Sequence, residues 1–471
     1  MDEKKTMTPS RRAVLGSATG VGLIAGAVAT GAIAAPAVLK GSNAGRKYKA
    51  FVVNRPVNGA RPPGRLESLT LLALQPRHVL IRTEASSPGY TMVPDALGLV
   101  GERRPSDFYT GERGASPFQG MRQTVQGAPP PTGITVCNNS FVGIVDAVGS
   151  DVTRVRSGDR VIVTASSHCG RCYQCLNGAP DSCELTQPSA GYPPIATLPD
   201  GTYVDGGAQF GTSELNVAYE EFCTPVFTDA PPAQLSLLGS QLSAGLASVM
   251  CRMEVRPGTD VVVFGAGPVG LGAIQGARIM GAGQVIVVEP IKVRRDLAMK
   301  LGATTVLDPA AEGAGLVEKI RELCKGKTDR MLSGGNSWTD YYSRGADYAV
   351  ASPGMQHYRP KTEAAPDPTG VLPFQQAWNC IRAGGHVMPL GLYSADVTLP
   401  TSDLMLRGKT IHPGQMGGIH MMRDLPRFVT LIERGLLDAK SMVGGTFSLE
   451  RTQEAYQNIG DRTMIATVIL F

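Results

Sequence analysis

The chain is predicted to be an α/β protein, built from a parallel sheet covered by helices and a second, mostly β, barrel-like domain. Three observations carry this reading. Up to about residue 164 the sequence runs in short apolar stretches, partly alternating with polar residues and punctuated by Gly and Pro, as strands joined by turns do. From about residue 236, continuous apolar runs of strand length alternate with stretches of helix length, the pattern of parallel strands buried on both faces. The composition, 42% hydrophobic and 18% charged with 57 Gly and 34 Pro, is that of a folded chain without a collagen triplet, and no internal repeat is present.

Taken in order, strands are expected over 47–53, 67–74 and 78–85, followed by a loop over 95–135 that contains Ala128-Pro129-Pro130-Pro131-Thr132-Gly133. Strands resume over 141–147 and 159–164, with Gly149-Ser150-Asp151 turning between them. In the second part, Val261-Val262-Val263-Phe264 is a buried strand, 269–280 a helix, 284–288 a strand and 291–301 a helix. Strands over 304–307, 348–351 and 386–390 extend the sheet, and the polar segments 328–345 and 353–372 read as insertions. A chain of 471 residues suits two or three domains.

The first residues read as a targeting segment. Ser10-Arg11-Arg12-Ala13-Val14-Leu15-Gly16 precedes a Gly- and Ala-rich apolar run, and Ala32-Ile33-Ala34-Ala35-Pro36-Ala37 offers small residues for cleavage. A positive segment, an apolar run and a small-residue site make a signal peptide over 1–37. The paired arginines resemble the twin-arginine export signal, which implies export in the folded state to the periplasm or beyond. The net charge is only +5, with Lys4, Lys5, Arg11 and Arg12 in that segment. No basic stripe follows a phosphate backbone, and two Trp with 6% aromatics argue against a nucleic-acid stacking surface.

Gly265-Ala266-Gly267-Pro268-Val269-Gly270 is a G-x-G-x-x-G run directly after a strand and opening a helix. That context gives the motif its meaning: the glycines allow a tight turn and close approach, and the helix start offers N–H groups to a pyrophosphate. Glu289 ends the next strand, 19 residues after Gly270. Its carboxylate suits the ribose hydroxyls of NAD and repels the 2′-phosphate of NADP, while Arg294 and Arg295 add positive charge that works against this preference.

Cys169, Cys172, Cys175 and Cys183 form C-x2-C-x2-C-x7-C. Four thiolates so spaced close a tetrahedral zinc site with no open position, which holds a loop and does no chemistry. In an oxidising compartment the same residues could form two disulfides, but export in the folded state lets zinc bind first. Cys137, Cys223, Cys251, Cys324 and Cys380 show no ligand spacing, and the six histidines are scattered, with His168 read as a loop residue.

The cysteine loop, the Gly265–Gly270 turn with Glu289, and their order resemble the zinc-containing medium-chain alcohol dehydrogenases. Phe141-Val142-Gly143-Ile144-Val145, Ser157-Gly158-Asp159-Arg160-Val161, Leu301-Gly302-Ala303-Thr304 and Arg382-Ala383-Gly384-Gly385-His386 add to the likeness. The resemblance implies a GroES-like catalytic domain from 38–238 and 418–471, a Rossmann-type NAD-binding domain over 239–417, an active site between them, and a homodimer or homotetramer. It also implies what is missing. The family's catalytic zinc is held by an early cysteine, a His-Glu pair and a later cysteine; the matching positions here are Gly89, Asn139-Ser140 and Ser240, which are poor zinc ligands. Thr91 matches the family's proton-relay hydroxyl, but Pro94 stands where the relay histidine would be, and Tyr90 stands where a basic residue often meets the cofactor phosphates.

Tyr90, Thr91 and Asn139 are therefore the candidates to support a substrate oxygen by hydrogen bonds in place of a metal. Tyr109, Tyr341, Tyr342, His357 and Tyr358, in the inserted segments, could add groups. The expected function is an exported, NAD-dependent oxidoreductase without catalytic zinc, acting on a small alcohol or carbonyl. Because free NAD is expected to be scarce outside the cytoplasm, the cofactor is expected to be retained and restored within each turnover. An external electron acceptor could do this, or a redox-neutral reaction such as dismutation, epimerisation or a lyase step. A binding protein without catalysis is the third reading.

Overall fold

The computed structural model describes residues 43–54, 62–99, 132–137, 139–186, 192–207, 211–324, 344–412 and 414–471. Residues 1–37, read above as a signal peptide, most of the 95–135 loop with Tyr109, and all but the end of the 328–345 insertion, with Tyr341 and Tyr342, lie outside the described residues.

The strand-rich part holds β1 (Lys47–Asn54), β2 (Arg65–Leu71), β3 (His78–Pro88), β4 (Ile134–Val136), β5 (Asn139–Val148), β6 (Arg160–Val163), β7 (Ala196–Thr197), β8 (Tyr203–Val204), β9 (Leu215–Tyr219) and β10 (Cys223–Pro225). Helix α1 (Val93–Leu97) interrupts what sequence alone reads as loop from residue 95; Pro94 sits in its first turn, and Gly98, at φ 68°, ends it, so two residues that look like loop markers are in fact helix punctuation. The strands form one sheet in the order β4-β1-β2-β7-β8 and a second that runs β10-β6-β5-β3. That second sheet continues into two strands from the far end of the chain, β17 (Val443–Phe447) and β18 (Ala466–Leu470), through β18 beside β3. Both ends of the chain thus build one domain.

The second part is a six-stranded parallel sheet in the order β13-β12-β11-β14-β15-β16, made of β11 (Asp260–Phe264), β12 (Gln284–Val288), β13 (Thr305–Leu307), β14 (Ala346–Ala351), β15 (Ile381–Pro389) and β16 (Thr410–Ile411). Helix α2 (Pro232–Leu238) still packs on β3 and β5 of the strand-rich sheet, and the helices that follow it include α3 (Gln241–Ala247), α4 (Pro268–Ile279), α5 (Lys292–Leu301), α6 (Leu316–Leu323) and α7 (Val371–Cys380). Side chains of a strand alternate between faces, and β11 fills both: Val261 and Val263 join the core with Leu242, Leu271 and Ile274, while Val262 and Phe264 join Ile286, Phe374 and Trp378 on the other side. After the sheet, α8 (Met421–Glu433) and α9 (Thr452–Gly460) lead back to the strand-rich domain. No described helix is long and apolar enough to cross a membrane.

Candidate functional site

The glycine turn is built as its spacing requires. β11 delivers the chain to Gly265 at φ 85°, and Gly267 caps α4 with no side chain on the helix's first N–H groups. A Cβ on Gly270 would lie 1.8 Å from the Gly265 carbonyl oxygen, so only glycine lets the helix start so close to the strand. At Gly267 the same Cβ would meet only Arg294 Nη1, at 3.8 Å; that glycine is not demanded by protein packing, and it leaves the helix start open to close approach. The turn is held against α3 by glycine as well, since a Cβ on Gly245 would lie 1.9 Å from the Val269 oxygen.

Glu289 is buried beneath this turn. Its Oε2 accepts the Ala266 N–H at 2.6 Å and its Oε1 accepts the Ile291 N–H at 2.9 Å, so the carboxylate braces the turn with one lone pair of each oxygen and keeps the others. Arg295 is spent on structure: Nη1 donates to the carbonyls of Glu289 and Pro290, at 2.7 and 2.6 Å, and Nη2 pairs with Asp308 at 3.1 Å. Arg294 differs. Its Nε is buried without a hydrogen-bond partner, and burial lowers its pKa, with Glu289 opposing and Arg462 adding to the shift.

These residues open on one cavity of about 440 Å³. Gly265, Gly267, Pro268, Val269, Gly270, Glu289 and Arg294 all line it, together with Pro309 and Gly313 from beyond β13. Pro88, Tyr90, Gln241, Ile459, Arg462 and Ile465 also line it. Tyr90 stacks on buried His357 with ring centroids 4.6 Å apart. Its hydroxyl accepts the His357 N–H at 3.3 Å and Arg462 Nη2 at 3.5 Å, while His357 Nε2 lies 3.1 Å from the Tyr90 carbonyl oxygen. Arg462, held at φ 59°, also lies over the Tyr90 ring.

Tyr90 thus stands among arginines. Thr91 is exposed and is not part of the cavity lining, and Asn139 is fixed by its backbone opposite Pro88 in the β3–β5 ladder, its side chain lying outside the described residues. Ser140 is buried, its Oγ donating to the Ser236 carbonyl at 2.9 Å, and Ser240 Oγ donates to the Met416 sulfur at 3.7 Å. Gln241, the next residue, was not singled out by sequence. Its Nε2 donates to the Pro88 carbonyl at 2.8 Å and its Oε1 accepts from Ser87 Oγ at 3.1 Å. Neither Gln241 nor Arg462 carries a local signal: their partners lie more than a hundred residues away.

The segment 353–370, between β14 and α7, crosses the cleft. It lines the cavity with Pro353, Gly354, Ala365, Pro366 and Asp367, and it is tied down on three sides. His357 holds Tyr90 as above. Tyr358 Oη donates to Asp461 at 3.1 Å and accepts from Gln457 at 3.1 Å, and Lys361 Nζ pairs with Asp461 at 2.6 Å. Glu363 accepts the N–H of Lys292, at the start of α5, at 3.3 Å. The segment leaves the parallel sheet, grips α9 and the turn after it, and returns.

Away from the cleft, Cys169, Cys172, Cys175 and Cys183 bring their sulfurs within 4.8 Å of one another. The Cys169–Cys175 and Cys172–Cys183 separations are both 3.9 Å. Four sulfurs at the usual zinc–thiolate distance on a tetrahedron stand ~3.8 Å apart, whereas a disulfide needs ~2.05 Å. Backbone N–H groups of Arg171 and Cys172 point at Cys169 Sγ, at 3.4 and 3.2 Å. Burial raises the Cys172 thiol, but N–H donors from Cys175 and Glu184 outweigh it and bring the group down to about 7, while burial pushes Cys175 up to about 12. The set fits one zinc ion, and it is the only cluster of three or more metal-ligating side chains among the described residues. His168, beside it, packs its ring 4.3 Å from that of His420.

A parallel sheet with a glycine-turn cradle, a strand-rich domain closed by the chain's last strand, and a four-thiolate lobe define a zinc-binding dehydrogenase. Residues 268–433 match the model of the zinc-binding dehydrogenase domain, and residues 105–226 that of the alcohol dehydrogenase GroES-like domain. The chain is 31% identical over 321 residues to the geraniol dehydrogenase of Castellaniella defragrans, covering 66% of this chain and 76% of that one. It is 28% identical over 345 residues to the NDMA-dependent alcohol dehydrogenase of Amycolatopsis methanolica, covering 70% and 82%. In structure it is similar to the benzyl alcohol dehydrogenase of Acinetobacter calcoaceticus, with a TM-score of 0.67 at 21% identity over 90% of this chain and 99% of that one. The chain belongs to the zinc-binding medium-chain alcohol dehydrogenase family, and it is an alcohol dehydrogenase-like oxidoreductase.

Proposed function

We propose that this protein interconverts a small alcohol and its carbonyl compound with an NAD that it keeps bound, that its cleft holds no catalytic zinc, and that it works after export by the twin-arginine route. The observation that carries the reading is the shared cavity: the glycine cradle, Glu289 and Arg294 open into it, and the segment 353–370 ties both sides of it together. The residues fit a dinucleotide. The uncapped start of α4 offers N–H groups, Gly267 leaves space over them, and the buried, unpartnered Arg294 Nε awaits an anion. A bound nicotinamide would take a hydride from the alcohol carbon while the hydroxyl proton goes to solvent.

The protein's own residues divide the work. The α4 N-terminus, Arg294 and Arg462 receive the pyrophosphate charge, and Glu289 receives ribose hydroxyls with its remaining lone pairs. Tyr90, packed among Arg462, Arg294 and His357, fits the phosphate side of the cleft better than the reacting oxygen. Support for an absent catalytic metal comes from Gly89, Ser140 and Ser240: one has no side chain, and the hydroxyls of the other two are turned to Ser236 and Met416. The four-cysteine lobe takes a structural zinc. Retention is supported by the crossing segment, and a retained cofactor needs either an external electron acceptor or a second substrate to restore it; the same ties support the redox-neutral reading.

The test is a substrate screen on washed protein without added NAD, following nicotinamide absorbance with and without an artificial electron acceptor. Reduction by an alcohol followed by acceptor-dependent return is expected. Turnover that appears only when free NAD is supplied would overturn retention, and transient reduction with an isomerised or cleaved product would select the redox-neutral reading.

A further inference from the structure

We infer that Gln241 is the group that hydrogen-bonds the substrate oxygen in this cleft. The inference rests on the reading of the cavity as a site for alcohol–carbonyl chemistry with a bound dinucleotide. Its observations are separate from those that support the dinucleotide.

The amide is fixed in orientation. One face of the problem is the Pro88 carbonyl, 2.8 Å from Nε2, and the other is the Ser87 hydroxyl, 3.1 Å from Oε1. A carbonyl oxygen cannot accept from another carbonyl oxygen, so the Pro88 contact fixes which end of the amide is nitrogen. A primary amide carries two N–H donors. One is spent on Pro88, and the second has no partner among the described residues, on a side chain that lines the cavity. A donor aimed in advance loses little freedom when it binds, which is what makes such groups effective at a developing negative charge.

Its place along the cleft agrees with this role. Gln241 is the first residue of α3, and α3 crosses the start of α4 where Gly245 abuts Val269, so the amide lies beside the fingerprint helix. Glu289, which suits the adenosine ribose, braces the turn from the β12 side. Arg294, whose buried Nε is unpartnered, suits an anion. Tyr90 Oη accepts from the His357 N–H and Arg462 and lies with the arginines that suit the pyrophosphate, Ser352 Oγ donates to the Phe264 carbonyl at 2.8 Å, and Asp367 accepts from Thr369 and Leu372. Gln376 also lines the cavity, but no hydrogen bond orients it. Gln241 is thus a neutral donor held in one orientation away from the arginines, and it sits next to Ser240, where the family resemblance expects a metal ligand. The amide keeps its hydrogen throughout; it stabilises charge on the oxygen and transfers no proton.

The experiment uses the dinucleotide-loaded protein, with its cofactor reduced, and isobutyramide as an unreactive carbonyl probe. Binding is read from nicotinamide fluorescence, beside dinucleotide content and melting temperature. Gln241→Met, which keeps the length and removes the donors, should bind the probe at least tenfold more weakly with content and melting unchanged, and should turn over alcohol about a hundredfold more slowly. Should Gln241→Met fail to fold, Gln241→Glu keeps an acceptor for Ser87 and must show the same loss. Equal probe affinity in wild type and variant overturns the inference. So does a wild-type protein without affinity for the probe, or a parallel loss of melting temperature and dinucleotide in both variants, which would make Gln241 only a bridge between β3 and α3. A wild-type protein that carries no dinucleotide overturns instead the reading beneath.

Discussion

Two glycines of one motif should fail in different ways. A methyl at Gly270 runs into the Gly265 carbonyl at 1.8 Å, so Gly270→Ala should cost about 1–3 kcal/mol of stability and dinucleotide content together. A methyl at Gly267 meets nothing of the protein nearer than 3.8 Å and sits at φ −73°, so Gly267→Ala should melt like wild type yet hold less dinucleotide. Melting curves and released nucleotide on the two variants check this; equal melting of both would contradict the packing argument. A second residue, His78, sets an acid limit. It is 3% exposed, its Nδ1 accepts the Gln75 N–H at 3.2 Å, and burial lowers its pKa to about 4. The unfolded chain protonates this histidine near pH 6.5 and the folded chain does not, so its share of stability is present above pH 6.5 and is lost as pH falls towards 4. That share is about 3 kcal/mol. Stability measured by denaturant between pH 7 and 4 should fall less steeply in His78→Asn than in wild type.

At the scale of elements, the crossing segment 353–370 is where the account is most exposed. Its ties to α9 run through Tyr358 and Lys361 to Asp461. Lys361 is largely exposed, so the ion pair alone is worth little; the buried carboxylate and the Tyr358 hydroxyl carry the rest. Tyr358→Phe with Lys361→Ala should speed dinucleotide release about tenfold, or about 1.4 kcal/mol, read by exchange against labelled NAD, while leaving the melt of the parallel sheet in place. An unchanged rate would show that the segment does not retain the cofactor. The sequence marks this segment as a polar insertion and stops there, because the ties through His357, Tyr358, Lys361 and Glu363 all reach residues 71 or more positions away. The regular elements were more legible. β12 runs from Gln284 to Val288 as its apolar run does, and α4 and α5 begin within one residue of their patterns. α3, α8, α9, β17 and β18 were not read, although α8 carries a local signal, with buried Met421, Leu425, Phe428 and Val429 recurring at helical spacing.

For the whole molecule, the motif residues were legible because their chemistry is local: the glycine turn, Glu289, Arg294 and the four cysteines each lie within short spans, and they meet as their spacing implies. The tertiary partners of the other cleft residues were not. Tyr90 was read as a support for a substrate oxygen at a position that often meets the cofactor phosphates, and its contacts with Arg462 and His357 come from distant parts of the chain. Thr91 is exposed outside the cavity lining, and Gln241 went unnoticed. The zinc lobe ties to the rest through Arg252, whose Nη2 meets Asp181 at 2.9 Å. Removing zinc with a chelator should therefore loosen the lobe and lower the melting temperature while leaving bound dinucleotide, because the cysteines do not line the cavity. The most direct test of the central claim is native mass spectrometry of the washed protein, assembled in the cytoplasm. Each chain should carry one zinc ion and one NAD or NADH. Two zinc ions per chain, or a chain without dinucleotide or with NADP in its place, would contradict it.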